Sequence, residues 1–214
     1  MTTEDHTTRT LLLPRFANGT MVVTRGSTSN IDPLAEDITT GHSQVKAFNL
    51  LNRTGIYNFN TDGLLLGWGL RNDVGIDEHP VTGEIYTVEN SADGISRDGV
   101  DVHANNPAEE LNSLGYLNGT YSANQGRNFG YPQCFTAWQP SELPQNAGID
   151  VGTPFAIGYP NATDNDTYCR TETVAPRLSF QAHQAPLDIL FNPNGSEAYV
   201  TWHGSWYVSC HSEP

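Results

Sequence analysis

The sequence predicts an all-β fold of the propeller type, present here as a partial β-propeller of about three to four blades. Three observations carry this. No long stretch has helical periodicity, whereas short β-branched and aromatic runs recur, each fenced by Gly, Pro, Asn or Asp. Three of these runs share one pattern of strand, proline-containing turn, glycine and strand, which is a hairpin whose glycine supplies a left-handed turn position. Their glycines, Gly19, Gly83 and Gly195, lie 64 and then 112 residues apart. The second interval is about twice a blade-sized repeat of roughly 40–60 residues. A β-sandwich is the competing all-β reading, but it does not account for a hairpin recurring at this spacing.

Taken in order, the first hairpin occupies residues 10–14 and 18–24, the second residues 74–80 and 82–88, and the third residues 187–193 and 194–201. The stretch from Leu64 to Pro132 organises the chain. It opens with Gly67-Trp68-Gly69-Leu70-Arg71-Asn72, passes through the second hairpin into an acidic run around Glu89 and Asp93, and closes on the aromatic corner Asn128-Phe129-Gly130-Tyr131-Pro132. An Arg-Asn pair, a strand and a carboxylate-rich loop together suit a site for an anion and a cation. Residues 1–206 are expected to form the partial propeller, and 207–214, polar and without strand alternation, an aberrant or truncated tail. Three or four blades do not close a ring, so open strand edges and self-association are expected.

A formal net charge of −14 over 214 residues argues against a nucleic-acid partner, whose phosphates would be repelled. No segment approaches the roughly 18 apolar residues of a membrane span, and the opening Met1-Thr2-Thr3-Glu4-Asp5 has no secretory leader character. Sequons at Asn18, Asn52, Asn118, Asn161, Asn165 and Asn194, with only 10 Lys and Arg, nevertheless point to an extracellular, glycosylated protein. Cys134 and Cys169 both fall in loop-like sequence and are expected to pair in an oxidising compartment, leaving Cys210 odd; three unpaired thiols in a reducing compartment is the other reading.

His6, Arg71 and His183 each precede one repeat hairpin. A terminal histidine is ordinarily solvated, but loops on one face of successive propeller blades converge on the axis, so these three side chains are expected to meet. Arg71-Asn72 offers a fork of donors and an amide for carboxylates or quinone oxygens. The acids Glu89, Asp93, Asp98, Asp101, Glu109 and Glu110 read as a solvated loop without EF-hand spacing, although a calcium site of carbonyls and one or two carboxylates is compatible with it. No nucleophile elbow, Walker loop, dinucleotide fingerprint, His-Glu-X-X-His or Cys-X-X-Cys occurs.

Gly67-Trp68-Gly69-Leu70-Arg71-Asn72, Val88-Glu89-Asn90-Ser91, Asn106-Pro107-X-Glu109-Glu110-X-Asn112, Asn128-Phe129-Gly130-Tyr131-Pro132, Gln181-Ala182-His183-Gln184-Ala185-Pro186-Leu187-Asp188 and His203-Gly204-Ser205-Trp206 together resemble the glucose/sorbosone dehydrogenase superfamily, and within it the fungal pyrroloquinoline quinone (PQQ)-dependent pyranose dehydrogenases. The resemblance implies a six-bladed propeller with PQQ on its axis and Ca2+ beneath. It implies that His6, in Asp-His-X-X-Arg, is the catalytic base, that Arg71 and Asn72 contact the quinone oxygens, and that Ser91 and Ala92 ligate calcium through backbone carbonyls. It further implies that His183 and Trp206 line the cofactor and that Arg25 and Ser27 lie on an inner loop approaching it. The implied activity is oxidation of a reducing sugar, with electrons passed to an acceptor such as a cytochrome domain. The sequence departs from the pattern where about the first third of the domain is absent and where Tyr207-Val208 replaces the Asn-Arg expected after Trp206. An inactive propeller fragment or non-redox carbohydrate-binding module is the alternative, and a calcium-dependent lactonase a third reading.

Overall fold

The computed structural model describes residues 6–51 and 54–205. Trp206, the tail 207–214 and the sequon at Asn52 lie outside the described residues. The strands are β1 (Leu11–Leu12), β2 (Thr20–Arg25), β3 (Gln44–Asn49), β4 (Leu64–Trp68), β5 (Asp73–Glu78), β6 (Glu84–Glu89), β7 (Ser96–Arg97), β8 (Val100–Asp101), β9 (Glu109–Tyr116), β10 (Arg127–Asn128), β11 (Cys134–Thr136), β12 (Pro154–Ala156), β13 (Leu178–Phe180), β14 (Pro186–Phe191) and β15 (Ala198–Trp202). A single α-helix, α1 (Asp166–Glu172), and three short 3-10 turns complete the described elements. The architecture is all-β.

All three hairpins read from the sequence are present: β1 pairs with β2, β5 with β6 and β14 with β15, each antiparallel. Gly19, Gly83 and Gly195 have φ of 74°, 77° and 74°, the left-handed region that a side chain disfavours. Around the hairpins, β1-β2-β3-β4-β10 form a five-stranded sheet and β13-β9-β6-β5 a four-stranded one. β-branched and aliphatic residues from facing sheets bury one another in two clusters. Val22, Val45 and Leu66 meet Ile76, Ile85 and Leu114 between the first two sheets, and Val88 and Leu111 meet Ile189 at the third hairpin. Leu66, Ile85 and Leu114 are fully buried, each worth about 1.5–3 kcal/mol of hydrophobic stabilisation.

The segment between β6 and β13 builds a separate cluster around Phe135 and Phe155. Cys134 and Cys169 are disulfide-bonded there. Neither lies in a loop, contrary to expectation: Cys134 sits in β11 and Cys169 in α1. The helix has 7 residues, too short for a periodic signal, and its start is fixed by Asn165, whose side chain accepts from the Thr167 and Tyr168 amides.

Candidate functional site

The loops that enter the three hairpins meet at one end of the sheets. The loop after β2 is held against the loop before β5 by the Ser27 amide, which donates to the Arg71 carbonyl at 2.8 Å. Gly26 makes this approach possible, because a Cβ there would stand 2.6 Å from Asn72 Oδ1 and 2.9 Å from His6 Cβ. His6 is half-buried and its Nδ1 lies 3.1 Å from the Ser27 carbonyl and 2.8 Å from Ser27 Oγ. A carbonyl only accepts, and the Ser27 hydroxyl already donates to the Ser29 carbonyl. Nδ1 is therefore the donor, which in the neutral imidazole leaves the lone pair on Nε2.

Arg71, 6% exposed, is clamped by main chain. Its Nε donates to the Asn30 carbonyl, Nη2 to Asn30 Oδ1, and Nη1 to the carbonyls of Asn90 and Ser91 at 3.0 and 2.6 Å. Burial lowers its pKa, opposed by Tyr131 and nearby carboxylates. The guanidinium thus orders the Asn90–Ser91 loop rather than standing open as a fork. The Ser91 carbonyl keeps a second lone pair for a cation, and the Ala92 side chain is buried in the Phe135 cluster, leaving only its backbone eligible.

The acidic residues divide into two groups, which corrects their reading as one solvated loop. Asp93, Asp98 and Asp101 are exposed. Glu89, Glu109 and Glu110 are buried, because they belong to β6 and β9 rather than to a loop. Glu109 accepts from the amides of Ser91 and Ala185 at 2.7 and 3.1 Å and so ties the second hairpin to the third. Burial nevertheless raises its pKa above the usual carboxylate range.

His183 has φ of 61°, a conformation that costs a non-glycine residue of order 1–2 kcal/mol. The strain aims its ring between two partners: Nε2 donates to the His103 carbonyl, and Nδ1 lies 3.2 Å from Asp93 Oδ1. Burial disfavours the imidazolium, but Asp93 and the His103 carbonyl outweigh it and raise the pKa. Asp93, His103 and His183 also place one potential ligand atom each within 4.8 Å of one another. Asn30, His103 and the Asp93–His183 pair were not assigned roles from the sequence, since their partners lie 41 to 90 residues away with no local spacing to mark them.

His6, Arg71, Ser91, Asp93, Glu109, His183 and the turn His203-Gly204-Ser205 line one cavity of about 250 Å³. The convergence expected of the three pre-hairpin loops is therefore found. Ser27 and Asn72 stand behind the wall, Ser27 against His6 and Asn72 near His6 and Asn90. Arg25 does not reach it: as the last residue of β2 its side chain turns outward to Asn60 Oδ1, at 3.0 Å, and to the face of Phe59. Arg71 and three histidines beside the carboxylates of Asp93 and Glu109 give the cavity both signs of charge, which suits an anionic group next to a cation. A larger cleft of about 890 Å³ beside α1 offers less, its Arg97 and Asp166 being paired at 2.8 Å.

Comparison with known proteins identifies a family and several relatives. Residues 1–211 fit the TrAA12-like family model. A PQQ-dependent sugar dehydrogenase of Hypocrea jecorina (strain QM6a) is 48% identical over 208 residues, which cover 96% of this chain and 48% of that protein. The calcium structure of a Trichoderma reesei family AA12 carbohydrate-active enzyme superposes with a TM-score of 0.89 at 48% identity, over 94% of this chain and 50% of that one. The holo form of the pyranose dehydrogenase PQQ domain from Coprinopsis cinerea superposes with a TM-score of 0.82 at 34% identity, over 95% and 50% of the two chains. The chain spans about half the length of these relatives.

Proposed function

The chain belongs to the TrAA12-like family, and on that premise we propose that it carries the catalytic face of a PQQ-dependent sugar dehydrogenase. Residues 1–206 form a three- to four-blade part of a six-bladed propeller in this reading. The observation that carries it is the meeting of His6, Arg71 and His183, from three separate hairpins, on one cavity. When bound, PQQ supplies the two-electron acceptor and Ca2+ the Lewis acid. Ser91 and Ala92 would offer carbonyls to the cation and Arg71 its positive charge to the anionic group, while His183 beside it and Asn72 behind the wall would order the surrounding loops. The described sequons at Asn18, Asn118, Asn165 and Asn194 are exposed, which supports glycosylation and an extracellular setting. A reducing sugar is the substrate and an external protein or dye the electron acceptor.

The chain's own part is proton management and order. His6 accepts the sugar hydroxyl proton at Nε2, the atom that the Ser27 contacts leave basic. The Arg71 clamp keeps the Asn90–Ser91 carbonyls turned toward the site, so no reorganisation is needed as charge develops. Replacing His6 by Ala is expected to lower turnover by roughly two to four orders of magnitude with PQQ retention unchanged. Near-full turnover in His6→Ala would overturn the assignment.

A further inference from the structure

One face of the four-stranded sheet holds five polar side chains together. Asp73 is the cross-strand partner of Glu89, Glu89 of Glu110, and Thr87 of Asn112. Residues paired this way project to the same face, and none of the five is more than 7% exposed. Among the described residues six buried side-chain polar atoms lack a hydrogen-bond partner, and four of them sit here: both Asp73 carboxylate oxygens, the Thr87 hydroxyl and Asn112 Oδ1. Such atoms are rare in folded proteins and signal a bound group or a functional strain.

The surroundings narrow the ligand. Asn112 Nδ2 donates to Glu89 Oε2 at 2.9 Å and to Glu110 Oε2 at 3.1 Å, which fixes the other amide atom as the carbonyl oxygen. Thr87 lies beside Asp73 without a well-formed hydrogen bond between them. Every orphaned atom is therefore an oxygen, and no nitrogen or sulfur ligand is offered. The neighbouring cationic side chain, Arg71, has spent its guanidinium on Asn30, Asn90 and Ser91. Three carboxylates are thus buried together with no side-chain cation hydrogen-bonded to them among the described residues, only the nearby charge of Arg71 favouring an ionised Glu89, an arrangement whose desolvation cost is large unless a counter-ion enters.

We infer that Asp73, Thr87 and Asn112 hold a buried cation of the Ca2+ class, with Glu89 and Glu110 balancing its charge, separate from the Ser91–Ala92 carbonyls. Oxygen-only ligands from carboxylate, hydroxyl and amide carbonyl are the set that hard cations take. Protonation is the competing resolution, and burial does push Asp73 up to about 8 and Glu110 up to about 7. A proton on one Asp73 oxygen still leaves the other unpaired, whereas a cation serves both.

The test uses the full 214-residue chain, stripped with a chelator and free of PQQ, titrated with Ca2+ by calorimetry and by thermal unfolding. The wild type is expected to bind Ca2+ saturably and to gain thermal stability. Asp73→Asn should bind Ca2+ at least about tenfold more weakly, equivalent to about 1.4 kcal/mol. Thr87→Val, which keeps the side-chain shape and removes one ligand oxygen, should weaken Ca2+ binding in the same direction and covers the case in which Asp73→Asn fails to fold. No Ca2+ binding by the wild type, or identical Ca2+ titrations in wild type and both variants, overturns the inference. PQQ binding retained by both variants separates this outcome from any failure of the dehydrogenase reading.

Discussion

Replacing Gly26 by Ala perturbs the point on which the convergence of loops depends. The added methyl would stand 2.6 Å from Asn72 Oδ1, 2.9 Å from His6 Cβ and 3.2 Å from the Arg71 carbonyl. Carbon atoms rest at about 3.5–4.0 Å, so the His6 contact is far inside its limit. Asn72 can rotate away cheaply, since its amide is held only by a 3.5 Å contact to Asn90. The Arg71 carbonyl cannot, because it accepts from the Ser27 amide at 2.8 Å. His6 must therefore leave Ser27, or the whole loop must back away. Overpacking of this kind costs about 1–3 kcal/mol, a drop of roughly 0.3–1.5 M in the urea midpoint for an m-value of about 2–3 kcal/mol/M. Displacing His6 by about 1 Å should cost around a hundredfold in the turnover of PQQ-loaded protein. The assay pairs urea unfolding, followed by tryptophan fluorescence, with sugar-dependent dye reduction. An unchanged midpoint with full turnover refutes the claim that Gly26 sets the position of His6.

Other consequences are as direct. Ser27→Ala removes one of two acceptors on His6 Nδ1 while the Ser27 carbonyl remains, so turnover should fall by about tenfold, with little change in sugar KM. Replacing Cys134 and Cys169 together by Ser and Ala opens a link across 35 residues of sequence and should cost about 3–4 kcal/mol in chemical denaturation. In chelator, stability should fall as pH rises from about 5 to about 8. Asp73 and Glu110 are raised in the fold, so the native state keeps protons that the unfolded chain releases near 4, and their contribution is lost as pH climbs to about 8 and about 7 respectively. His183 is raised from 6.5 and works in the same sense, its imidazolium stabilising below that value and lost above the folded pKa. Asp73→Asn should flatten the profile; a stability rising through this range contradicts the assignment.

Local chemistry made the hairpins legible, because each is encoded by contiguous residues: β-branched strands and a glycine whose left-handed φ a two-residue pattern announces. The convergence of His6, Arg71 and His183 followed from applying one architectural rule to equivalent positions. Residues whose role depends on a partner remote in sequence were not legible. Asn30 reads as an ordinary turn residue until Arg71 is seen bonded to both its oxygens, 41 positions on. Glu109 and Glu110 read as solvated because their neighbours are polar, yet β-pairing with Glu89 on one side and the third strand pair's loop on the other buries them. The family resemblance puts Arg25 on an inner loop approaching the cofactor; the two-residue period of β2, which buries Thr24, turns it away.

The central claim is that this cavity receives PQQ and turns over sugar with His6 as base. The measurement that tests it most directly is reconstitution of the purified chain with PQQ and Ca2+, following quinone absorbance and then its bleaching when a reducing sugar is added. Stoichiometric binding with sugar-dependent bleaching in the wild type, and binding without bleaching in His6→Ala, is the expected result. Failure of the folded wild-type chain to bind PQQ, or equal bleaching in both proteins, would contradict it.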